Sequence, residues 1–309
     1  MLPPALSRKA RPRRLRLPSA VATAIWSVSR RNAKKALGER REGQKLTDGS
    51  KEPRVAVHDA EEQRTPLGII AANGRAWAVI WPGMGARCRS LHRVTLAPGG
   101  ASVPLRHSGE AVYYAMAGRG AVNDAAGTAH PLIEGSMVHV APFGEYRFAA
   151  SELGLDLIGG PCPADPALYD GAARPNAAVK PSETGLVRIF HRDDPGVQVP
   201  LISRDARLIV WLGVGAKIAN MNFVRLEPGE ANVPHIHPES EDTIYILQGR
   251  GTVVDFDHDL RLRFETGQVI HVPIGIKHAV YADRGNAVVS VGGPAPADRH
   301  MLRAAGLLT

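Results

Sequence analysis

The chain is poor in cysteine. Cys88 and Cys162 are the only two in 309 residues; they form no disulfide framework and no Cys-x-x-Cys metal or redox pair. A reduced, cytoplasmic compartment is the default expectation. Nowhere does the sequence approach the roughly 18 unbroken apolar residues of a membrane span, and no nucleotide, flavin or phosphate-loop motif is present. The body of the chain also lacks an excess of positive charge. The formal net charge of +8 sits at one end: residues 1–50 hold 13 Lys+Arg against 3 Asp+Glu, and the remaining 259 hold 25 against 27. Nucleic acid is therefore not an expected partner of the body, nor is a membrane surface.

The basic stretch from Arg8 to Leu17 could grip phosphates, but a disordered, solvated tail over 1–54 is the reading its composition supports. Ser19 to Val28 looks like a short signal-peptide core, yet Arg30, Arg31, Lys34 and Lys35 follow it with no small-residue cleavage site. Residues 1–50 are expected to be dispensable for folding and for the function of the body.

Glycine and proline, by contrast, are abundant, with 32 and 24 residues, and they divide the chain into many short apolar runs. That favours strands and turns over long helices. The chain also repeats itself. WPGMGARCRSLHRVTLAPG from Trp81 aligns without a gap to WLGVGAKIANMNFVRLEPG from Trp211. AMAGRG matches ILQGRG, EGSMVHVAPFG matches TGQVIHVPIG, and GGPCPAD (Gly159 to Asp165) matches GGPAPAD (Gly292 to Asp298). Each copy is long enough to be a domain, which predicts barrels over 55–165 and 186–309. An Ala/Pro-rich linker over 166–185 would join them. Short β-rich runs bounded by glycine predict antiparallel sandwiches or barrels.

The second copy carries the chemistry. Residues i and i+2 of a strand share a face, so His235 and His237 project together. An H-x-H pair alone is weak evidence. Downstream, Asp242 precedes Gly249, and Gly267, Pro273 and Gly275 place His278 on a return strand able to face the same interior. Three imidazoles and a carboxylate inside a small barrel suit a divalent first-row ion. Without an ion, four buried polar groups would each need a partner.

These stretches resemble the two motifs of the cupin superfamily. The first runs from Gly229 through His235, His237 and Asp242 to Gly249; the second runs from Gly267 through Pro273 and Gly275 to His278. The resemblance spans roughly residues 55–300 and both copies, which implies a bicupin. The implied fold is all-β, with two tandem double-stranded β-helix (jelly-roll) barrels and a metal ion in the second. His235, His237, Asp242 and His278 are the implied ligands. Asp242 stands at a glutamate position and is one methylene short. Glu241 is its rival, and a three-histidine site remains if neither carboxylate binds. Fe2+ is the favoured ion, with Mn2+, Ni2+, Cu2+ and Zn2+ as alternatives.

The first copy lacks this set. Leu105 stands where His235 stands, Ala111 replaces Asp242, His107 matches His237, and the alignment puts Arg147 where His278 stands. A vacant structural barrel is expected, with an anion pocket around Arg147 as the alternative. His139 and His271 recur in both copies, as do Tyr114 and Tyr245, which marks them as structural. One ion per chain is expected.

The resemblance implies a small-molecule substrate and a homo-oligomer. Three function classes stay open. A dioxygenase or other oxidoreductase acting on a small oxygenated molecule is favoured. The others are non-redox Lewis-acid chemistry (isomerase, decarboxylase, lyase or hydrolase) and a non-catalytic binding protein.

Overall fold

The computed structural model describes residues 53–62, 65–174 and 185–308. The basic tail over 1–50 and residues 175–184, half of the expected linker, therefore lie outside the described residues. The fold is all-β. The strands are β1 (Ala56–Asp59), β2 (Thr65–Pro66), β3 (Ile70–Ile80), β4 (Leu91–Ser102), β5 (Leu105–Arg106), β6 (Glu110–Asp124), β7 (Ala129–Ile133), β8 (Ser136–Val140) and β9 (Glu145–Cys162). After the linker come β10 (Val187–His191), β11 (Val197–Gln198), β12 (Asp205–Val210), β13 (Met221–Leu226), β14 (Glu241–Gln248), β15 (Arg250–Asp255), β16 (Leu260–Glu265), β17 (Gln268–Val272), β18 (His278–Ala282) and β19 (Val288–Ala295). A short helix, α1 (Arg299–Ala304), follows. It is too short to cross a membrane, and no described helix is long and apolar enough to do so.

One sheet runs β10-β8-β6-β9-β4-β3-β2, with β5 and β7 on its margins. A second runs β1-β17-β14-β19-β13-β12-β11, faced by the three-stranded sheet β16-β15-β18. The halves exchange strands across the boundaries expected at residues 55 and 186. β1 pairs antiparallel with β17, Ala56 opposite His271, and β10 pairs with β8, Val187 opposite Val140.

Alternation along β6 and β14 sets the layers. Ala111, Tyr113 and Ala115 face the interior of the first barrel. Val112 and Tyr114 face the other way and join Tyr245, Phe223 and Val291 of the second half in one buried apolar layer. Burying each such side chain contributes about 1.5–3 kcal/mol, so the layer fuses the halves into one body.

The repeated GGPxPAD segment closes each half. Gly159 (φ 153°) and Gly292 (φ 139°) adopt a conformation that favours glycine. A Cβ would lie 2.2 Å from the Val112 carbonyl oxygen at the first and 1.9 Å from that of Thr243 at the second. Only glycine lets the closing strand approach its neighbour so closely.

Candidate metal centre

His235 and His278 face each other across an antiparallel bridge: each backbone N–H donates to the other residue's carbonyl at 3.0 Å. His237 lies two residues on, its carbonyl held by the Gly275 N–H at 2.9 Å. A ligand atom from each of the three side chains falls within 4.8 Å of the others. Asp242 enters from β14 on the inward face, with Oδ2 3.5 Å from His237 Nε2 and 3.9 Å from His278 Nε2.

The other side of each ring is occupied. Nδ1 of His235 faces the Val233 carbonyl at 2.8 Å, and Nδ1 of His278 faces that of Ile276 at 3.1 Å. His237 Nδ1 lies 2.5 Å from Asp298 Oδ2. An acceptor at every Nδ1 places its proton there and turns the Nε2 lone pair inward, the tautomer a metal requires. His237 Nε2, His278 Nε2 and Asp242 Oδ1 are buried without a hydrogen-bond partner. Such orphaned atoms are expensive unless something binds them, and a divalent cation fits this donor set.

The electrostatics are polarised. Burial, reinforced by the neighbouring imidazoles His278 and His237, depresses His235 to about 3, and burial also lowers His278. Burial opposes charge on His237 as well, but the hydrogen bonds and charges of Asp242 and Asp298 outweigh it and lift this group to about 9. Burial would raise Asp242; contact with His237 and the nearby His278 outweighs it and holds Asp242 at about 2. Two carboxylates thus flank the His237 ring, Asp298 on its Nδ1 side and Asp242 on its Nε2 side, and their negative charge favours a cation at this site.

Glu241 is not among the converging groups. Alternation turns it to the outer face, where it accepts from Arg87 N–H at 2.6 Å and Cys88 N–H at 2.7 Å. Asp298 is the site residue that the sequence reading missed. The signal was there: His107 and His237 are the site histidines that match between the copies, and Asp165 and Asp298 close the shared GGPxPAD segment. In the first half the same pair forms, His107 Nδ1 to Asp165 at 2.9 Å.

The alignment of Arg147 with His278 is corrected by one residue. Leu105 pairs with Tyr146 across the strands, as His235 pairs with His278, so Tyr146 occupies the position. Arg147 alternates to the opposite face of β9. The interior of the first barrel is filled by side chains: Tyr146 Oη lies 3.0 Å from both His107 Nε2 and Tyr113 Oη, and Phe148 packs edge-on against both tyrosines. A phenol stands where the second half has an imidazole, so crowding, rather than repulsion by Arg147, is the expected reason for this barrel to bind no metal. Tyr146→Phe is expected to destabilise the protein by about 1–3 kcal/mol, because it strands buried polar atoms. Thermal denaturation reads this. Arg147→His is expected to leave metal content unchanged.

A cavity of about 60 Å3 opens beside His235, His237 and Asp242. Ala206, Leu208, Val224, Leu226, Ile244 and Val280 line it, with Asn222, Asn232 and Ser290 as polar members. Arg207 also borders it, but its guanidinium is engaged elsewhere: Nη1 donates to the Asp194 carbonyl at 3.1 Å, Nε lies 2.9 Å from Asp205, and the group stacks on Phe223.

Comparison with known proteins agrees with this architecture. Residues 222–291 match the cupin domain family. Oxalate decarboxylase of Lactobacillus farciminis, solved as a formate complex, superposes with TM-score 0.60 at 15% identity, over 81% of this chain and 88% of its own. A putative glyoxylate-induced protein of Pseudomonas aeruginosa gives 0.58 at 18% identity, over 84% and 95%. Protein Ylba from E. coli gives 0.55 at 16%, over 84% and 96%. No curated protein matches the chain by sequence. The family match is confined to residues 222–291, and the solved structures share the fold of the chain.

Proposed function

We propose that the chain is a bicupin enzyme. On this reading its second barrel binds one divalent ion through His235, His237, Asp242 and His278 and acts on a small oxygenated organic molecule. The observation that carries this is the convergence of three Nε2 atoms with Asp242, every Nδ1 being tied back to an oxygen. Bound there, the ion would polarise a chelating oxygen donor or support reaction with dioxygen. The cavity admits only a small molecule, and its aliphatic walls suit one with an apolar body beside its chelating oxygens.

Dioxygenase chemistry is favoured over decarboxylation or isomerisation by what lines the cavity. Decarboxylation and isomerisation move a proton to or from carbon, a step that a positioned acid or base accelerates. Among the described residues the titratable lining groups are the proposed ligands and Arg207, and Arg207 is engaged. Asn222, Asn232 and Ser290 can orient a substrate but are poor acids and bases. The solved oxalate decarboxylase of Bacillus subtilis is described with Mn(II) centres, which makes manganese an alternative to iron.

Metal analysis of tag-free protein is expected to give about one equivalent of a redox-active ion. Oxygen-electrode assays of the loaded protein against chelating keto, enol and hydroxy acids should show oxygen uptake. Turnover of a carboxylate without oxygen uptake would move the reading to Lewis-acid decarboxylation. Protein that neither retains nor rebinds metal would end it.

A further inference from the structure

We propose that Asp298 is a positioning residue that couples metal binding at His237 to docking of the C-terminal helix over the cavity. The inference rests on the metal-site reading above. Asp298 is buried, 4% exposed, and its two oxygens serve different structures. Oδ2 lies 2.5 Å from His237 Nδ1. Oδ1 accepts from the Met301 N–H at 2.9 Å, as the N-cap of α1. One turn into that helix, Met301 forms part of the cavity wall and Leu302 is buried against Val199, Ala206 and Leu208. Leu307 N–H then returns to the Leu302 carbonyl. One carboxylate therefore fixes both a ligand ring and the element that covers the ligand's cavity.

The physical consequence runs both ways. A carboxylate on Nδ1–H makes Nε2 a stronger donor to metal, and losing such a partner typically weakens metal binding about 10–100-fold. A cation on Nε2 in turn strengthens the Nδ1–H···carboxylate bond and so favours the conformation in which Asp298 caps α1. Coupling of this kind is reciprocal. In the first half Asp165 makes the same bond to His107 and caps the turn Pro166–Tyr169, with the Tyr146 hydroxyl at His107 Nε2. The pair thus also has a purely structural role, and the test must read metal directly.

The full-length protein should be titrated with Co(II), following its ligand-field absorption, as wild type, D298N and D298A. Hydrogen exchange over 299–308 should be measured with and without Zn(II). Asparagine caps helices about as well as aspartate and still offers an oxygen to Nδ1–H, so D298N removes the charge alone. The expected result is a 10–100-fold loss of Co(II) affinity in D298N, with exchange over 299–308 unchanged in the metal-free state. In wild type, Zn(II) should slow that exchange, and in D298N by less. D298A should lose affinity at least as strongly and exchange faster even without metal. Co(II) affinity in D298N within twofold of wild type, or exchange in wild type indifferent to Zn(II), overturns the coupling while the metal site stands. Wild type that binds neither ion overturns the metal-site reading, and the coupling with it.

Discussion

Alanine at His278 is expected to lower affinity for divalent metal at least about 100-fold, a loss of roughly 2.8 kcal/mol, with little change in the stability of metal-free protein. The two halves of this expectation have different causes. His278 Nε2 is buried without a hydrogen-bond partner, so its removal strands no protein donor or acceptor on the inward side. On the other side it frees only the Ile276 carbonyl. Its backbone, which holds His235 in place through the paired N–H···O bonds, is untouched by the substitution. Metal binding loses an entire ligand from a set whose ring orientations are already fixed. The same substitution at His235 or His237 should act similarly, but His237→Ala should also destabilise the metal-free protein, because it leaves Asp298 buried without its ion partner. Isothermal titration with Zn(II) and urea denaturation in chelator separate these quantities. Asp242→Ala should weaken binding more than Glu241→Ala. The reverse order, or full metal retention by H278A, would displace the proposed site.

The cluster of three histidines was legible in the sequence because its determinants are local. The H-x-H alternation fixes two rings on one face, and the glycine and proline turns around Pro273 and Gly275 deliver the third. That Asp242 rather than Glu241 turns toward the histidines was legible for the same reason, since period-two alternation on β14 cannot turn both inward. What failed was long-range register. Sequence alignment placed Arg147 opposite His278, because a one-residue shift between the copies leaves the flanking glycines equally well matched. Only the pairing of Leu105 with Tyr146 shows which side chain enters the first barrel. Asp298 was hidden for a related reason: it lies 61 positions from His237, and nothing local to either residue announces the contact. The strand exchange of β1 and β10 was equally inaccessible, since each strand is four or five residues and carries no mark of the sheet it joins.

Glu110 and Glu241 are expected to make stability fall in acid, and replacing them should remove that dependence. Each carboxylate reaches from one half to the backbone of the other. Glu110 accepts from the N–H groups of Lys217, Ile218 and Ala219 at 2.7–2.9 Å. Glu241 accepts from Arg87 and Cys88. His139 and His271 stand beside them at 3.7 and 3.8 Å, which gives these repeated histidines a structural place at the junction. Burial alone would raise Glu110, but its contacts with His139 and the three N–H donors outweigh it and hold the group at about 2. Glu241 is likewise held below its ordinary value. A carboxylate depressed in the folded state contributes stability that is complete above its unfolded value, about 4.5, and is lost as pH falls toward the folded value. Wild type should therefore lose stability steadily from pH 4.5 to 2. Urea denaturation in chelator, across that window, should show a shallower loss for E110Q. At pH 7, Glu110→Ala should cost about 3 kcal/mol or more, because three buried N–H groups lose a charged acceptor. For a fold of ordinary stability, ~5–15 kcal/mol, adding Glu241→Ala should bring the junction close to opening despite its apolar layer. Parallel acid profiles for wild type and E110Q would show that the junction is held by that layer alone.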